Sequence, residues 1–380
     1  MNEAGCCLVH SGQPTETRTK SDGAASDSTP SDSTYPGGAA LFNGRPEYAT
    51  AGAASFVDIS KTDFGPFAPI RLSDKEKYNS LFRAINPQIS DLTFSNLLMW
   101  RNMINFRAAW ADGFACIIAV PRLYPPYAYA PAGDASGNPG GFERACAITR
   151  DVFEANGWQP RFRCVPIDVA PMVTRMFDSC ECEEDRDFYD YLYLADDLIN
   201  LRGKKFDGKR NHINKFKKLY EYEYEKLTTA HIDDCLRIMY DRCVDNGCDC
   251  LRGMEYACDR RPSAELLEHY AALDCKGALI KVGGRYEAFT IGEALNRDTA
   301  VIYIEKANVA IAGLYAFINQ QFCEREWAGM TYINREEDEG VPGLRKAKLS
   351  YHPYRLIEKY TITGCARSRR RLFAAPQPAV

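Results

Sequence analysis

ALIKVGGRYEAFTIGEAL, residues 278–295, reads as a β-hairpin about Gly283-Gly284, since paired glycines supply the positive φ that a two-residue turn requires. AVIYIEKA (300–307) follows as a buried strand. A helix comes next, its apolar residues Ile311, Leu314, Tyr315, Ile318 and Phe322 spaced by three and four. The same grammar occurs earlier in the chain. RAAWADGFACIIAV (107–120) is two short strands around Asp112-Gly113, GFERACAITRDVFEANG (141–157) is a helix closed by Gly157, and RFRCVPI (161–167) is a strand. Two copies of hairpin, strand and helix predict an α/β (α+β) fold of two related domains, each a mixed, mostly antiparallel sheet flanked by helices.

Further elements fit this frame. LSDKEKYNSLFRAI (72–85) is an amphipathic helix with Ser73 as its expected N-cap. MTYIN (330–334) is a short strand, GLRKAKLSY (343–351) a short basic helix, and YRLIEKYTI (354–362) a terminal strand. A chain of 380 residues suits two domains at roughly 100–200 residues each. The expected division is 55–187 and 188–366. SDGAASDSTPSDSTYPGGAA typifies residues 1–54, which cannot bury enough apolar surface to offset ordering entropy and so read as a disordered extension. Residues 367–380 read as a second tail.

The net charge is −4, so any nucleic-acid contact must come from a local patch. No apolar run approaches the roughly 20 residues that span a bilayer, and the N-terminus lacks a signal-type apolar core. The expected compartment is cytoplasmic, with peripheral membrane contact allowed. The 15 cysteines then read as free thiols. The densest group, Cys243, Cys248, Cys250 and Cys258, lacks paired CxxC spacing, so no metal site is expected and small hydrophobic or surface roles are.

Charge is most sharply biased in GKKFDGKRNHINKFKK (203–218). Ile213, Phe216 and Tyr220 mark a buried stripe, leaving Lys209, Arg210, Lys215, Lys217 and Lys218 to solvent or a ligand. Lys204 and Lys205 precede the helix, where its macrodipole already favours anions. One acid, Asp207, stands among these bases. A solvated face, a phosphate-bearing small ligand and an RNA end all fit this run. His212, with no second His or acid at ligand spacing, reads as a surface or capping residue.

A second polar cluster lies in TYINREEDEGVPGLRKAKLSYHP (331–353). Arg345 and Lys348 share a helix face beyond Gly343, with Asp338 in the preceding loop. The layout offers a carboxylate to orient or deprotonate a nucleophile and two cations to hold developing negative charge. As isolated text it would equally suit a loop of surface salt bridges.

The patterns LxGKKxxxKRNxIxxF, EKAxxxxxGxYxxIN and NREEDxGxxGLRxxKxSYxP together resemble the family of the phosphatidylglycerol lysyltransferase C-terminal domain, from about Phe56 to about Ile362. The resemblance implies a tandem GNAT-type fold like that of the Fem peptidyltransferases. It implies transfer of an aminoacyl group from aminoacyl-tRNA to an amine or hydroxyl of a lipid headgroup, peptide or small acceptor. It implies that Lys209, Arg210, Asn211, Glu305, Lys306, Asp338, Arg345 and Lys348 line the working cleft. From the two together, Asp338, Lys348, Arg345 and Glu305 are the expected catalytic residues. Lys204, Lys205, Lys209, Arg210, Asn211, Lys306, Asn334 and Arg335 are the expected substrate or tRNA contacts. Lysyltransferases proper carry a many-pass membrane domain that this sequence lacks, which puts a soluble acceptor on equal footing with a lipid.

The donor is the other open question. Ordinary GNAT acetyltransferases hold the pyrophosphate of CoA on a Gly-rich strand-to-helix turn. Here the equivalent EKANVAIAG has no glycine before Gly313, expected inside the helix, which argues for aminoacyl-tRNA over acyl-CoA. No permanently bound cofactor is expected. A CoA-dependent N-acyltransferase and a non-catalytic RNA-binding protein remain the alternatives.

Overall fold

The computed structural model describes residues 57–122, 124–248 and 258–364. Both terminal tails and Cys250 lie outside them. Fourteen strands are described: β1 (Ala68–Pro69), β2 (Phe106–Ala111), β3 (Phe114–Ala119), β4 (Tyr127–Ala128), β5 (Arg161–Pro166), β6 (Cys180–Glu184), β7 (Asp190–Leu194), β8 (Tyr222–Lys226), β9 (Lys276–Val282), β10 (Arg285–Ala294), β11 (Thr299–Ala307), β12 (Tyr332–Asn334), β13 (Arg355–Ile357) and β14 (Lys359–Gly364). They form two seven-stranded sheets, ordered β1-β2-β3-β4-β5-β14-β6 and β13-β7-β12-β11-β10-β9-β8. Pairing is antiparallel except at β4–β5 and β11–β12. The α/β architecture of two mixed sheets flanked by helices is thus the one expected.

Local chemistry places the turns. Asp112 and Gly113 have φ of 52° and 88°, and Gly283 and Gly284 have 58° and 83°, the left-handed pairs that tight hairpins need. Helix Lys75–Ile85 departs from expectation at its start. A 3-10 turn, Leu72–Asp74, precedes it, and the Asp74 carboxylate accepts from the Arg71 N–H at 2.8 Å, so Ser73 is not the cap.

Each sheet has one face covered by its own helices. Helix Pro139–Ala155 packs on β3 around Phe142, Phe153 and Phe162. Helices Ala195–Asn200, Asp207–Leu219 and Leu314–Glu326 surround Tyr191, Phe206, Phe216 and Phe317 over the second sheet. A third core is shared. Tyr78, Phe94 and Leu97 from the first half pack with Leu266, Phe289 and Ile304 from the second. Each such side chain contributes roughly 1.5–3 kcal/mol on burial, so neither half keeps its stability without the other.

The terminal strand is also shared. YRLIEKYTI divides at Glu358: β13 pairs with β7, while β14 inserts between β5 and β6 of the first sheet. The second-half segment 188–366 therefore returns a strand to the first half. Lys359, at this crossing, has no exposed surface. Its ammonium donates to Asp190 Oδ1 at 2.7 Å and lies 2.6 Å from Asp91 Oδ2, the latter without hydrogen-bond alignment. Lys359→Met would leave two buried carboxylates without their cation. We expect it to destabilise the protein by about 3–5 kcal/mol in urea unfolding; a loss under about 1 kcal/mol would show that the crossing is held by packing alone.

Candidate active site

β11 and β12 run side by side only over Thr299–Val301 and Tyr332–Asn334. Beyond that, β11 continues to Ala307 while the other chain turns away as a loop, so the sheet splits between the two segments. Arg335 Nη2 reaches across to Glu305 Oε1 at 3.1 Å, and Glu305 Oε2 accepts from Asn319 at 2.8 Å.

The loop after β12 is fixed from beneath. Asn334, with no exposed surface, donates to Asp190 at 2.9 Å and accepts from the Glu336 N–H at 2.8 Å. Asp338, equally buried, accepts from Arg345 at 2.7 and 2.9 Å, from Arg186 at 3.2 Å, from the Gly340 N–H at 2.9 Å and from the Tyr191 hydroxyl. Arg345 also binds Asp187 at 2.7 Å. Lys348 donates to the carbonyls of Arg335, at 2.6 Å, and Glu337.

These contacts reassign several expected roles. Burial alone would raise the pKa of Asp338, but hydrogen bonds from Arg345, Tyr191 and Gly340 outweigh it and hold the carboxyl below its ordinary value. A saturated, depressed carboxylate is a poor proton acceptor, so Asp338 anchors the loop. Arg345 is committed to Asp338 and Asp187, and Lys348, lowered by burial, to backbone carbonyls. None of these three points a spare charge at the crevice. Asn334 is a support beneath the loop, not a surface contact.

The loop's other carboxylates are Glu336, Glu337, whose Oε2 lies 3.9 Å from the Lys359 ammonium, and Glu339. Burial, Asp91 and Asp190 push Glu337 up to about 7 against the pull of Lys359 and Lys348. Burial, then Glu337 and Asp259, push Glu339 up to about 8. Burial and Glu337 raise Glu336 as well. Glu336 and Glu339 also hold φ of 54° and 51°, a left-handed backbone costing on the order of 1–3 kcal/mol in a side-chain-bearing residue. Left-handed backbone and raised carboxyl pKa values thus coincide in this loop, a combination that recurs at functional sites. All three stood in the quoted NREEDEG; their signal was the run of acids itself, which spacing alone reads as solvated surface.

The basic helix flanks this site selectively. Lys209 Nζ lies 4.2 Å from the centre of the Tyr351 ring, on which Arg335 also rests at 4.9 Å. Lys209 and the crevice loop are therefore on one side of the molecule. Arg210 is turned inward, donating to the carbonyls of Leu201 and, at 2.8 Å, Gly203, and pairing with Asp207. It staples the left-handed turn at Leu201 (φ 48°) and offers little to a phosphate. Lys205 pairs with Asp197 at 3.0 Å, while Lys204 and Asn211 are exposed. Lys306 is bound to Asp259 at 2.6 Å.

Gly313 lies at the helix N-cap, not inside the helix, with φ 85°. A Cβ there would meet the His212 carbonyl oxygen at 2.2 Å, so the strand-to-helix turn is closed by the backbone of the basic helix. The cysteines of the dense group are drawn together in space. Cys243, Cys248 and Cys258 are buried, with their sulfurs all within 4.8 Å of one another.

The family model described as phosphatidylglycerol lysyltransferase, C-terminal, matches residues 82–363. The chain belongs to that family. A conserved Bacteroides thetaiotaomicron protein of unknown function has a crystal structure that is 33% identical, with a TM-score of 0.72 over 79% of this chain and 99% of that one. L-PGS from Bacillus licheniformis is 15% identical with a TM-score of 0.55 over 81% and 96%, and FemX is 10% identical at 0.52 over 78% and 96%. These last two share the fold. An uncharacterised Mycoplasmoides gallisepticum protein is 25% identical over 178 residues, and the chain spans 55% of its length.

Two outcomes test this geometry. Gly313→Ala should lose on the order of 1–3 kcal/mol in urea unfolding, whereas Gly208→Ala, with nothing within 4 Å, should be neutral or slightly stabilising. Glu337 and Glu339 keep protons in the folded protein that the unfolded chain releases above its ordinary carboxyl pKa. Their stabilising contribution is full below that value and is lost as pH rises through about 7 and 8. The melting temperature should therefore fall between about pH 5 and pH 8, and Glu339→Gln should flatten the slope.

Proposed function

We propose that the protein transfers an aminoacyl group from aminoacyl-tRNA to the amine of a peptide, small molecule or lipid headgroup. The observation that carries this reading is the crevice between β11 and the 335–340 loop, where Glu337 and Glu339 sit near neutrality. Such carboxyls can take a proton from an attacking ammonium-derived amine at physiological pH. Family membership supports the reaction class, as do the names of two fold relatives, a putative lysylphosphatidylglycerol synthetase and FemX.

In the reaction, the acceptor nitrogen bonds to the ester carbonyl carbon and the carbon–oxygen bond to the terminal ribose breaks. The nitrogen's proton passes to Glu337 or Glu339 and then to the departing ribose oxygen. Arg335, held by Glu305 of β11 and stacked on Tyr351, bridges the diverging segments and is assigned to the developing oxyanion. Lys209 and the exposed Lys204 and Asn211 are assigned to the phosphates of the tRNA acceptor end. Lys209 rests on the same aromatic ring as Arg335, which supports a continuous path from helix to crevice.

A diphosphate donor fits less well. The turn at 308–313 that would hold it is closed by the Gly313–His212 approach. As to location, no helix among the described residues is long and apolar enough to cross a membrane.

The test is incubation of the full chain with labelled aminoacyl-tRNAs and a cell extract, followed by a search for base-stable, amide-linked label. We expect transfer whose rate rises through about pH 7–8, reduced on the order of a hundredfold by Glu337→Gln. No transfer from any aminoacyl-tRNA, together with calorimetric binding of acetyl-CoA, would replace this reading with CoA-dependent acylation.

A further inference from the structure

We propose that Cys243, Cys248 and Cys258 form a thiolate site for a zinc ion, which fastens the second half of the chain beside the crevice. The three sulfurs come from separate places: the last turn of helix Ile232–Asp245, the turn after it, and the residue two before helix Arg260–Glu268. Local geometry brings the first two together. Gly247 holds φ 59°, and the Cys248 N–H donates to the Cys243 carbonyl at 2.9 Å, folding Cys248 back over the helix end.

The trio stands apart from the other cores among the described residues. All are buried, at 8%, 2% and 1% exposure, yet they form a cluster of their own that no other buried apolar side chain joins among the described residues. Three small hydrophobes placed for core-filling would instead merge with the shared core, as Cys235 on the same helix does. A disulfide would use two sulfurs at about 2 Å and strand the third. A tetrahedral ion at roughly 2.3 Å from each sulfur needs them about 3.8 Å apart. The observed separations, all within 4.8 Å, require only a small inward closing.

The Arg260 N–H already points at Cys258 Sγ at 3.4 Å, as suits a sulfur carrying negative charge. Soft thiolates favour zinc over the hard divalent ions, and three of them leave a tetrahedral ion one position for a ligand from outside the trio. Binding would release the thiol protons to solvent. The consequence reaches the crevice through Asp259, next to Cys258, whose carboxylate holds Lys306 at 2.6 Å on β11 beside Glu305. A metal at the three thiolates would fix that contact, whichever group the enzyme transfers.

The test uses the full chain, purified with a non-chelating reductant. Metal content should be about one zinc per chain. Titration of the metal-free, reduced protein with cobalt(II) should give a thiolate-to-cobalt charge-transfer band that zinc then abolishes. Cys243→Ser and Cys258→Ser should each weaken the band and lower the metal content. Removing the metal should lower the melting temperature of the wild-type protein. Absence of the charge-transfer band in the reduced wild-type protein would overturn the proposal, independently of whether any variant folds. So would an undiminished band in both serine variants, or a disulfide between two of the three that persists under reductant.

Discussion

Lys359 is the point on which both halves of the molecule close. The chain crosses from one sheet to the other within a single residue, and that crossing puts an ammonium where water cannot reach it. Burial alone would lower its pKa, but Asp190, Asp91 and Glu337 outweigh it and keep the group charged. Asp190 in turn accepts from the N–H and hydroxyl of Ser90 at 2.7 and 2.9 Å and from Asn334 at 2.9 Å. One buried carboxylate thus ties the first half, the crossing strand and the root of the crevice loop. A buried ion pair is seldom a net source of stability against a well-packed apolar substitute, but its directional bonds set one geometry.

The loop after β12 inherits that geometry. Asn334 holds the Glu336 N–H, Lys348 the carbonyls of Arg335 and Glu337, and Asp338, itself bound by Arg345, the Gly340 N–H. With both ends and the middle held, Glu336 and Glu339 can occupy left-handed backbone that a free loop would abandon. Glu336, Glu337 and Glu339 are then crowded together and half-buried, which raises their proton affinity. Asp338, Arg345 and Lys348, first singled out as catalytic, are thus bound into the support of the loop, and the proposed function assigns the chemistry to their neighbours.

Much of the fold could be read from periodicity. The glycine hairpins, the alternation of strand and helix and the buried stripe Ile213–Phe216 all depend on nearest neighbours along the chain. What could not be read depends on long-range placement. YRLIEKYTI looks like one strand because nothing local marks its division between two sheets. Asp338 looks reactive because the partners that saturate it, Arg186 and Tyr191, lie about 150 residues away in sequence. Arg210 looks like a phosphate ligand until the turn at Leu201 claims it. The sequence picks out Cys243, Cys248 and Cys258 as a dense group but not that two helix ends bring their sulfurs together, because that proximity depends on tertiary placement.

In the proposed function, the crevice beside β11 receives the aminoacyl end of a charged tRNA. A crystal structure of the protein with a non-hydrolysable 3′-aminoacylamido adenosine tests this most directly. The account predicts the amide carbonyl between Arg335 and the Glu337–Glu339 segment, with the adenosine toward Tyr351 and Lys209. An analogue bound elsewhere, or a crevice that takes the pantetheine arm of CoA instead, would contradict it.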